Sequence, residues 1–232
     1  MSWRKFMAAH NKRAGDNKSS APKPVVVPAV QPTGDGEYAI YQAQCKADWD
    51  GLKAEPDHAE RDRRKPALLD KYRDYLTAFM ESEETQNDVL VMNIVWAGDA
   101  KDWLWLEELA DFAVRTHQVF SLFKSDPMHI AADAVFIEAE RVFKLKQEQQ
   151  DFTDSVFEVF NRIFKDRVLT GTWSFNKSLK ARYYKLSADL PASNETKLEY
   201  YEIANDLKND IGVKGRIKDL KRLLNGQANG GD

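Results

Sequence analysis

The sequence predicts an all-α protein: an antiparallel helical stack preceded by a flexible basic N-terminal arm. Apolar residues recur at helical spacing from residue 37 onward, and no segment shows sustained alternation with a period of two. Short turns join the helical segments, as in the helix pairs of tetratricopeptide-like stacks. Together these three observations favour a helical stack over any sheet-based domain.

Residues 1–36 are predicted to form the flexible basic arm, which ends in a proline-rich linker. Four prolines between Pro22 and Pro32 each remove a backbone donor and push the preceding residue toward extended geometry. Within the first 24 residues six cations face one carboxylate, Asp16, and such a segment can neutralise DNA phosphates. The candidate DNA-binding residues of the arm are Arg4, Lys5, Lys12, Arg13, Lys18 and Lys23.

The helical body is expected over residues 37–224, followed by a frayed tail at 225–232. Turn and breaker signals divide the body into entry helices (37–82), central helices (83–147) and C-terminal helices (148–224). The body is long enough to enclose a substantial apolar core.

The central helices begin with a segment that is apolar on nearly every face, from Val89 to Trp96. Such a helix is expected to be buried on all sides. Asn87 is its expected N-cap, and Asp102 is the expected N-cap of the next helix, because short polar side chains satisfy the first free N–H groups.

Three tryptophans, Trp96, Trp103 and Trp105, fall within ten positions. About 200° separates Trp103 from Trp105 around a helix, so one pocket is a poor fit for both rings. We interpret the three rings as packing between helical layers. A subunit interface and a ligand site are the alternatives.

A second basic cluster precedes Pro66, which is expected to start a new helix because proline is tolerated in a first turn. Residues 81–113 are instead acidic, with nine carboxylates against Lys101 alone. A basic arm beside an acidic body is common in proteins that contact nucleic acid; a solvated tail on an ordinary acidic domain is the alternative. The cluster adds the candidate DNA-binding residues Arg61, Arg63, Arg64 and Lys65.

The sequence contains no phosphate-binding loop, no H-E-x-x-H, no C-x-x-C and no serine nucleophile elbow. Its four histidines are scattered, and Cys45 is the single cysteine, so no internal disulfide is possible. Asp99 and Asp102 come nearest to a metal-binding carboxylate pair and are weak catalytic candidates, although both also fit turn and cap positions. We expect no metal, no cofactor and, without an apolar run of ~20 residues, no membrane span.

A recognisable pattern occupies residues 67–120. A pair of leucines is followed by a D-V-L run that ends in tryptophan, then by a turn with two spaced aspartates, Asp99 and Asp102, and then by a helix of E-x-A-x-x-A type. The signature and apolar residues of this stretch, expected in a core or an interface, are Leu68, Leu69, Asp88, Leu90, Trp96, Trp103, Trp105 and Leu109.

This pattern resembles the small terminase subunit of tailed phages such as coliphage P-two, a family often labelled as the terminase endonuclease subunit. The resemblance extends over roughly residues 38–224 and is strongest in 68–115. Lys101 stands where that family usually has a glycine, just before the second aspartate.

The resemblance implies a role in viral genome packaging in the cytoplasm of the host cell. It implies binding to the packaging (cos) region of concatemeric double-stranded viral DNA and self-association into an oligomer such as a ring. It also implies recruitment and regulation of the large terminase subunit, which carries the ATPase and the nuclease. Because no catalytic motif is visible, we expect a non-catalytic regulatory subunit. The alternatives are an intrinsic metal-dependent endonuclease that cuts cos DNA and a helical protein–protein scaffold without direct DNA contact.

Overall fold

The computed structural model describes residues 36–82, 86–119, 126–148 and 152–228, and these ranges contain nine α-helices and no β-strand. The predicted all-α class is therefore confirmed, while the arm with its six candidate cations lies outside the described residues. None of the described helices is both long and apolar enough to cross a lipid bilayer. The helices are α1 (Gly36–Ala54), α2 (His58–Ser82), α3 (Asp88–Ala100), α4 (Trp103–Arg115), α5 (Pro127–Lys146), α6 (Ser155–Arg162), α7 (Lys177–Asp189), α8 (Asn194–Leu207) and α9 (Lys214–Ala228).

The chain divides between Ala134 and Val135 into two compact units. Unit 1 contains α1 to α4 and the first part of α5. Unit 2 contains the rest of α5, α6 to α9 and a π-helical turn (Ile163–Val168) that continues α6. The boundary lies within a continuous helix, so it has none of the proline, glycine or polar signals by which a linker is recognised in a sequence.

Helix α3 forms the centre of unit 1. Every residue from Val89 to Ala97 is buried, as the nearly uniform apolar sequence predicts. The side chain of Asn87 accepts hydrogen bonds from the backbone N–H groups of Val89 and Leu90 at 3.0 and 3.1 Å, which confirms the expected N-cap. Helices α1, α2 and α4 all pack against α3.

Helix α2 runs without interruption through Pro66, so the expectation that this proline starts a new helix was wrong. Leu69, Tyr72 and Leu76 form a buried stripe on α2, and Lys65 lies on the same stripe four residues earlier. Packing on both sides of Pro66 holds the helix together, although proline has no N–H to donate to the preceding turn.

A left-handed residue and a cap form the turn between α3 and α4. Lys101 has φ 64° and ψ 27°, and its backbone N–H donates to the carbonyl of Ala97. Asp102 then caps α4 by accepting from the backbone N–H of Trp105 at 3.3 Å, which confirms the second expected cap. Because the left-handed region favours glycine, this geometry explains why a glycine suits the position of Lys101.

Aromatic rings dominate the core of unit 2. Phe160 of α6 stacks on Tyr183 of α7, with ring centroids 4.8 Å apart and planes at 5°. Phe136 of α5 lies 5.7 Å from Tyr183, and the guanidinium carbon of Arg182 lies 4.0 Å from the Phe136 centroid. Such ring pairs contribute beyond their buried area, so they fix how α5, α6 and α7 pack together within unit 2.

Helix α9 attaches to unit 2 through its N-terminal half. Val213 belongs to a buried cluster with Ala188 and Tyr201, and Ile217 and Leu220 pack against that cluster. The helix continues to Ala228, four residues beyond residue 224, where the body was expected to end. The last turns of α9 therefore carry mostly exposed side chains.

Candidate nucleic-acid interface

Cations of α2 engage both carboxylates that were considered as catalytic candidates. Asp99 accepts from the ammonium of Lys65 at 2.8 Å, and Asp102 accepts from the guanidinium of Arg73 at 2.6 Å. Burial raises the pKa of Asp99, and the charge of Lys65 opposes that rise. Both carboxylates therefore have a structural role, because their ion pairs hold the α3–α4 turn against α2.

The described ranges contain no group of three or more His, Cys, Asp or Glu arranged to hold a metal ion. Cys45 is buried in α1, and burial, followed by the nearby charge of Asp48, raises the pKa of its thiol to about 12. The thiol therefore stays protonated at neutral pH, which suits a packing residue rather than a nucleophile.

The tryptophans lie in the core of unit 1. Trp96, Trp103 and Trp105 have relative exposures of 0, 6 and 4%. The centroid of Trp96 lies 5.8 Å from that of Tyr72, and the guanidinium carbon of Arg73 lies 4.7 Å from the centroid of Trp105. Since all three rings are enclosed by their own unit, they leave little surface for a ligand.

Most of the other signature residues share this core. Leu69, Leu90 and Leu109 are buried, whereas Leu68 is half-buried. Asp88 is also half-buried and accepts from the side-chain amide of Gln42 at 3.1 Å. The signature stretch is therefore mainly the packing core of unit 1, and it presents no cluster of reactive side chains.

The basic cluster of α2 is largely neutralised by its surroundings. The side chain of Arg61 donates to the backbone carbonyl of Glu55 at 2.6 Å, and Arg63 pairs with Glu60 at 2.9 Å. Residues 55–65 carry four acidic side chains against the four basic ones. Arg64 is the exposed member of this cluster for which the described residues provide no ion pair.

Lys65 is separated from the other three cations by burial. Its side chain is 5% exposed, and its ammonium lies 2.6 Å from Asp62 and 2.8 Å from Asp99. Because this buried ammonium is already bound by two carboxylates, it is not accessible to a phosphate. Lys65 is therefore removed from the candidate DNA-binding residues. Its role is to join α2 to the end of α3.

Helix α9 carries a basic surface that the sequence-based selection of DNA-binding residues missed. The helix has five cations and one carboxylate. Four of the cations occupy its solvent side and are exposed. The signal that could have found them is their spacing opposite the apolar stripe that packs on α8. This basic face consists of Lys214, Lys218, Lys221 and Arg222.

The fifth cation, Arg216, anchors α9 to α7 and α8. Its guanidinium donates to the carboxylate of Asp189, at the end of α7, and to the hydroxyl of Tyr201 on α8. The Tyr201 hydroxyl in turn donates to Asp189. Burial and the hydrogen bond to Asp189 raise the pKa of Tyr201 to about 12, so the Tyr201 hydroxyl stays protonated at neutral pH.

A groove of about 730 Å³ runs between α8 and α9, on a different side of α9 from Lys214 and Lys218. Lys197, Arg216 and Arg222 contribute cations to its lining, so Arg222 borders both the groove and the basic face. Tyr201 and Leu223 contribute apolar surface, and Asp219 contributes a carboxylate. This mixed lining is less suited to a polyanion than the basic face is.

Part of the chain matches a known protein family. The family profile described as "phage small terminase subunit" matches residues 42–171. The match begins in α1 and ends just after the π-helical turn, so α7, α8 and α9 lie beyond it. No curated protein and no solved structure gives a significant match. Since the matched residues make up more than half of the chain, the chain belongs to the phage small terminase subunit family.

Proposed function

We propose that this chain is the DNA-recognising subunit of a phage terminase and acts in genome packaging in the cytoplasm of the host cell. It binds the packaging (cos) region of concatemeric double-stranded DNA and self-associates. It also recruits and regulates the large subunit, which carries the ATPase and the nuclease. Membership of the small terminase family is the observation that carries this proposal.

The engagement of Asp99 and Asp102 by cations supports a non-catalytic role. A metal-dependent nuclease needs carboxylates that converge on a divalent ion, and these two are directed to Lys65 and Arg73 instead. We assign DNA cutting to the large subunit for this reason.

Exposed apolar side chains support self-association through unit 1. Ile40 on α1, Leu104 on α4 and Val119 after α4 are 58, 61 and 65% exposed. Leu104 shares the outer side of α4 with Glu108, so an apolar side chain stands within an acidic surface. Contact with a second copy would remove these apolar side chains from water.

The arm is the first proposed DNA contact, because residues 1–24 contain six basic residues and only one acidic residue. In α2, Arg64 is the residue best placed to add to it, with Arg61 and Arg63 already engaged. Lysine and arginine contacts of this kind supply affinity and register, whereas base contacts supply sequence preference.

The decisive experiment is fluorescence anisotropy with the full-length protein, a duplex of the cognate cos region and a shuffled duplex, over a salt series. We expect tighter binding to the cos duplex and an affinity that falls steeply with salt. Deletion of residues 1–36 then measures the contribution of the arm.

Three results would contradict parts of the proposal. A lack of binding to either duplex at low salt favours a scaffold that acts only through the large subunit. Magnesium-dependent cutting by the purified chain, lost in Asp99→Asn or Asp102→Asn with folding intact, favours the intrinsic nuclease. Light scattering at micromolar concentration tests self-association, and a monomer mass would count against it.

A further inference from the structure

Among the described helices α9 has the highest net positive charge, followed by α7 with four basic residues and one acidic residue. Residues 36–134 have 11 basic and 20 acidic side chains, and residues 135–213 have 12 basic and 13 acidic. Helix α9 has five basic residues and one acidic residue. A polyanion that approaches either unit is therefore attracted most strongly to this helix.

The basic face of α9 has the geometry of a continuous stripe. Lys214, Lys218, Lys221 and Arg222 fall within about 100° of the helix circumference, because their spacing follows the helical period. The stripe extends over about 12 Å along the axis at a rise of 1.5 Å per residue. All four side chains are exposed, while Ile217 packs toward α8.

Two members of the stripe are uncommitted, and two have weak partners. Lys221 pairs with Glu202 at 2.6 Å and Arg222 pairs with Asp219 at 3.0 Å, and all four of these side chains are more than 40% exposed. Exposed pairs contribute little to stability, so a phosphate can displace them. Lys214 and Lys218 form no ion pair with any described residue, so they are the two members most available to a phosphate.

The chemistry of the stripe fits a nucleic-acid backbone better than a protein partner. Protein interfaces centre on buried aromatic or apolar anchors, with charges at the rim. The exposed apolar residue of α9, Leu223, lies about 150° around the helix from the middle of the stripe and lines the groove instead. The stripe presents charges alone, which suits a repeating array of phosphates.

The hydrogen bonds of Arg216 support a nucleic-acid contact at the basic face. The bonds to Asp189 and Tyr201 hold α9 against α7 and α8 only two residues from both Lys214 and Lys218. Lysines on a fixed helix lose less freedom on binding than lysines on a mobile segment, so each contact adds more affinity.

We propose that the basic face of α9 contacts the phosphate backbone of duplex DNA and gives unit 2 a DNA-binding surface separate from the arm. This inference rests on the proposed function, because it locates a contact within it. The contact is independent of sequence, since lysine ammonium groups meet phosphates and not base edges.

The test is fluorescence anisotropy on the full-length double variant Lys214→Gln, Lys218→Gln, with the cos duplex and a duplex of unrelated sequence. Each lost phosphate contact reduces the slope of log K against log salt by about 0.9, so we expect a reduction of about 1.8. At 100 mM salt we expect the affinity for both duplexes to fall by the same factor, on the order of tenfold to a hundredfold.

The matched control is Lys144→Gln, Lys165→Gln, which removes the same charge from exposed positions of unit 2 outside α9. It should leave the salt slope within about half a unit of the original. Circular dichroism checks that both double variants fold, and the single charge reversal Lys218→Glu provides a second variant of the stripe.

The remaining outcomes separate this inference from the proposed function. If the original protein binds DNA and the Lys214, Lys218 variant keeps its salt slope, the inference is overturned and the function stands. If that variant instead changes the oligomer mass in light scattering, α9 is a contact between copies and the inference is again overturned. If the original protein binds neither duplex at low salt, the proposed function fails, and the inference fails with it.

Discussion

Two basic segments of the described chain, residues 61–65 in α2 and residues 214–222 in α9, have similar charge in the sequence and different surroundings in the structure. The first has four cations and one carboxylate, and the second has five cations and one carboxylate. In α2 one cation is buried and two are engaged. In α9 four cations share an exposed face.

This difference shows that the value of a cation for DNA binding depends on its place around the helix. In α2 the cations follow one another in sequence, so they are distributed over all faces, including the buried one. In α9 Lys218 follows Lys214 by four residues, and Lys221 and Arg222 follow Lys218 by three and four, so these four cations share one face. The following predictions test this distinction, starting with the largest expected effect.

Replacing Lys65 should affect folding and not DNA binding. Lys65→Met leaves the buried carboxylate of Asp99 without its ammonium partner, and we expect the free energy of unfolding to fall by about 2–3 kcal/mol. Urea denaturation measures the loss. The double variant Lys65→Met, Asp99→Asn should recover part of it, because no unpaired buried charge remains.

The control for Lys65 is Arg64→Met, which changes an exposed neighbour and should alter the free energy of unfolding by less than about 0.5 kcal/mol. If Lys65→Met were as mild as this control, the buried ion pair would not join α2 to α3. If it lowered the salt slope of DNA binding while the protein stayed folded, Lys65 would belong to the interface after all.

Lys101→Gly should stabilise the protein while it removes a cation. The left-handed backbone of Lys101, with φ 64°, suits glycine, so we expect a gain of about 0.5–1 kcal/mol in the free energy of unfolding. Thermal denaturation checks the gain, with Lys101→Ala as the comparison that keeps the strain. DNA affinity should not change, because Lys101 lies outside both basic segments; a loss equal to that of the α9 variant would show that total charge matters more than position.

The smallest effect is expected from Arg63→Gln, Arg64→Gln. Arg63 is already paired with Glu60, so removing both charges should weaken DNA binding by less than about threefold at 100 mM salt, the effect of less than one phosphate contact. The same anisotropy series measures it. A reduction of the salt slope as large as that expected for the α9 variant would show that α2 and α9 contribute equally to DNA binding.

Local signals were sufficient for much of the fold. The apolar run of α3 predicted a buried helix, and Asn87 and Asp102 were recognisable caps because their side chains act within three residues of their own position. The position of Lys65 was also accessible in principle, since the stripe of Leu69, Tyr72 and Leu76 reaches it when continued by one turn. The expectation that a new helix starts at Pro66 separated Lys65 from this stripe, so its burial was not predicted.

Other features depend on residues distant in sequence. The partner of Lys65 is Asp99, on another helix, and the anchor of Arg216 needs Asp189 and Tyr201 from two more. No local pattern reports which cations find such partners. The spacing of the α9 cations could have marked that helix as a candidate, whereas the partners that occupy the α2 cations are visible only in the tertiary structure.

The tryptophan arrangement gives the protein an uneven set of internal spectroscopic probes. Trp49, Trp96, Trp103 and Trp105 belong to unit 1, whereas Trp173 is the tryptophan that the described residues of unit 2 contribute. Emission during denaturation therefore follows mainly the exposure of the unit 1 core. Loosening of α9 would be nearly silent in such a measurement, and a signal placed on α9 itself would be needed to follow the helix that we propose meets DNA.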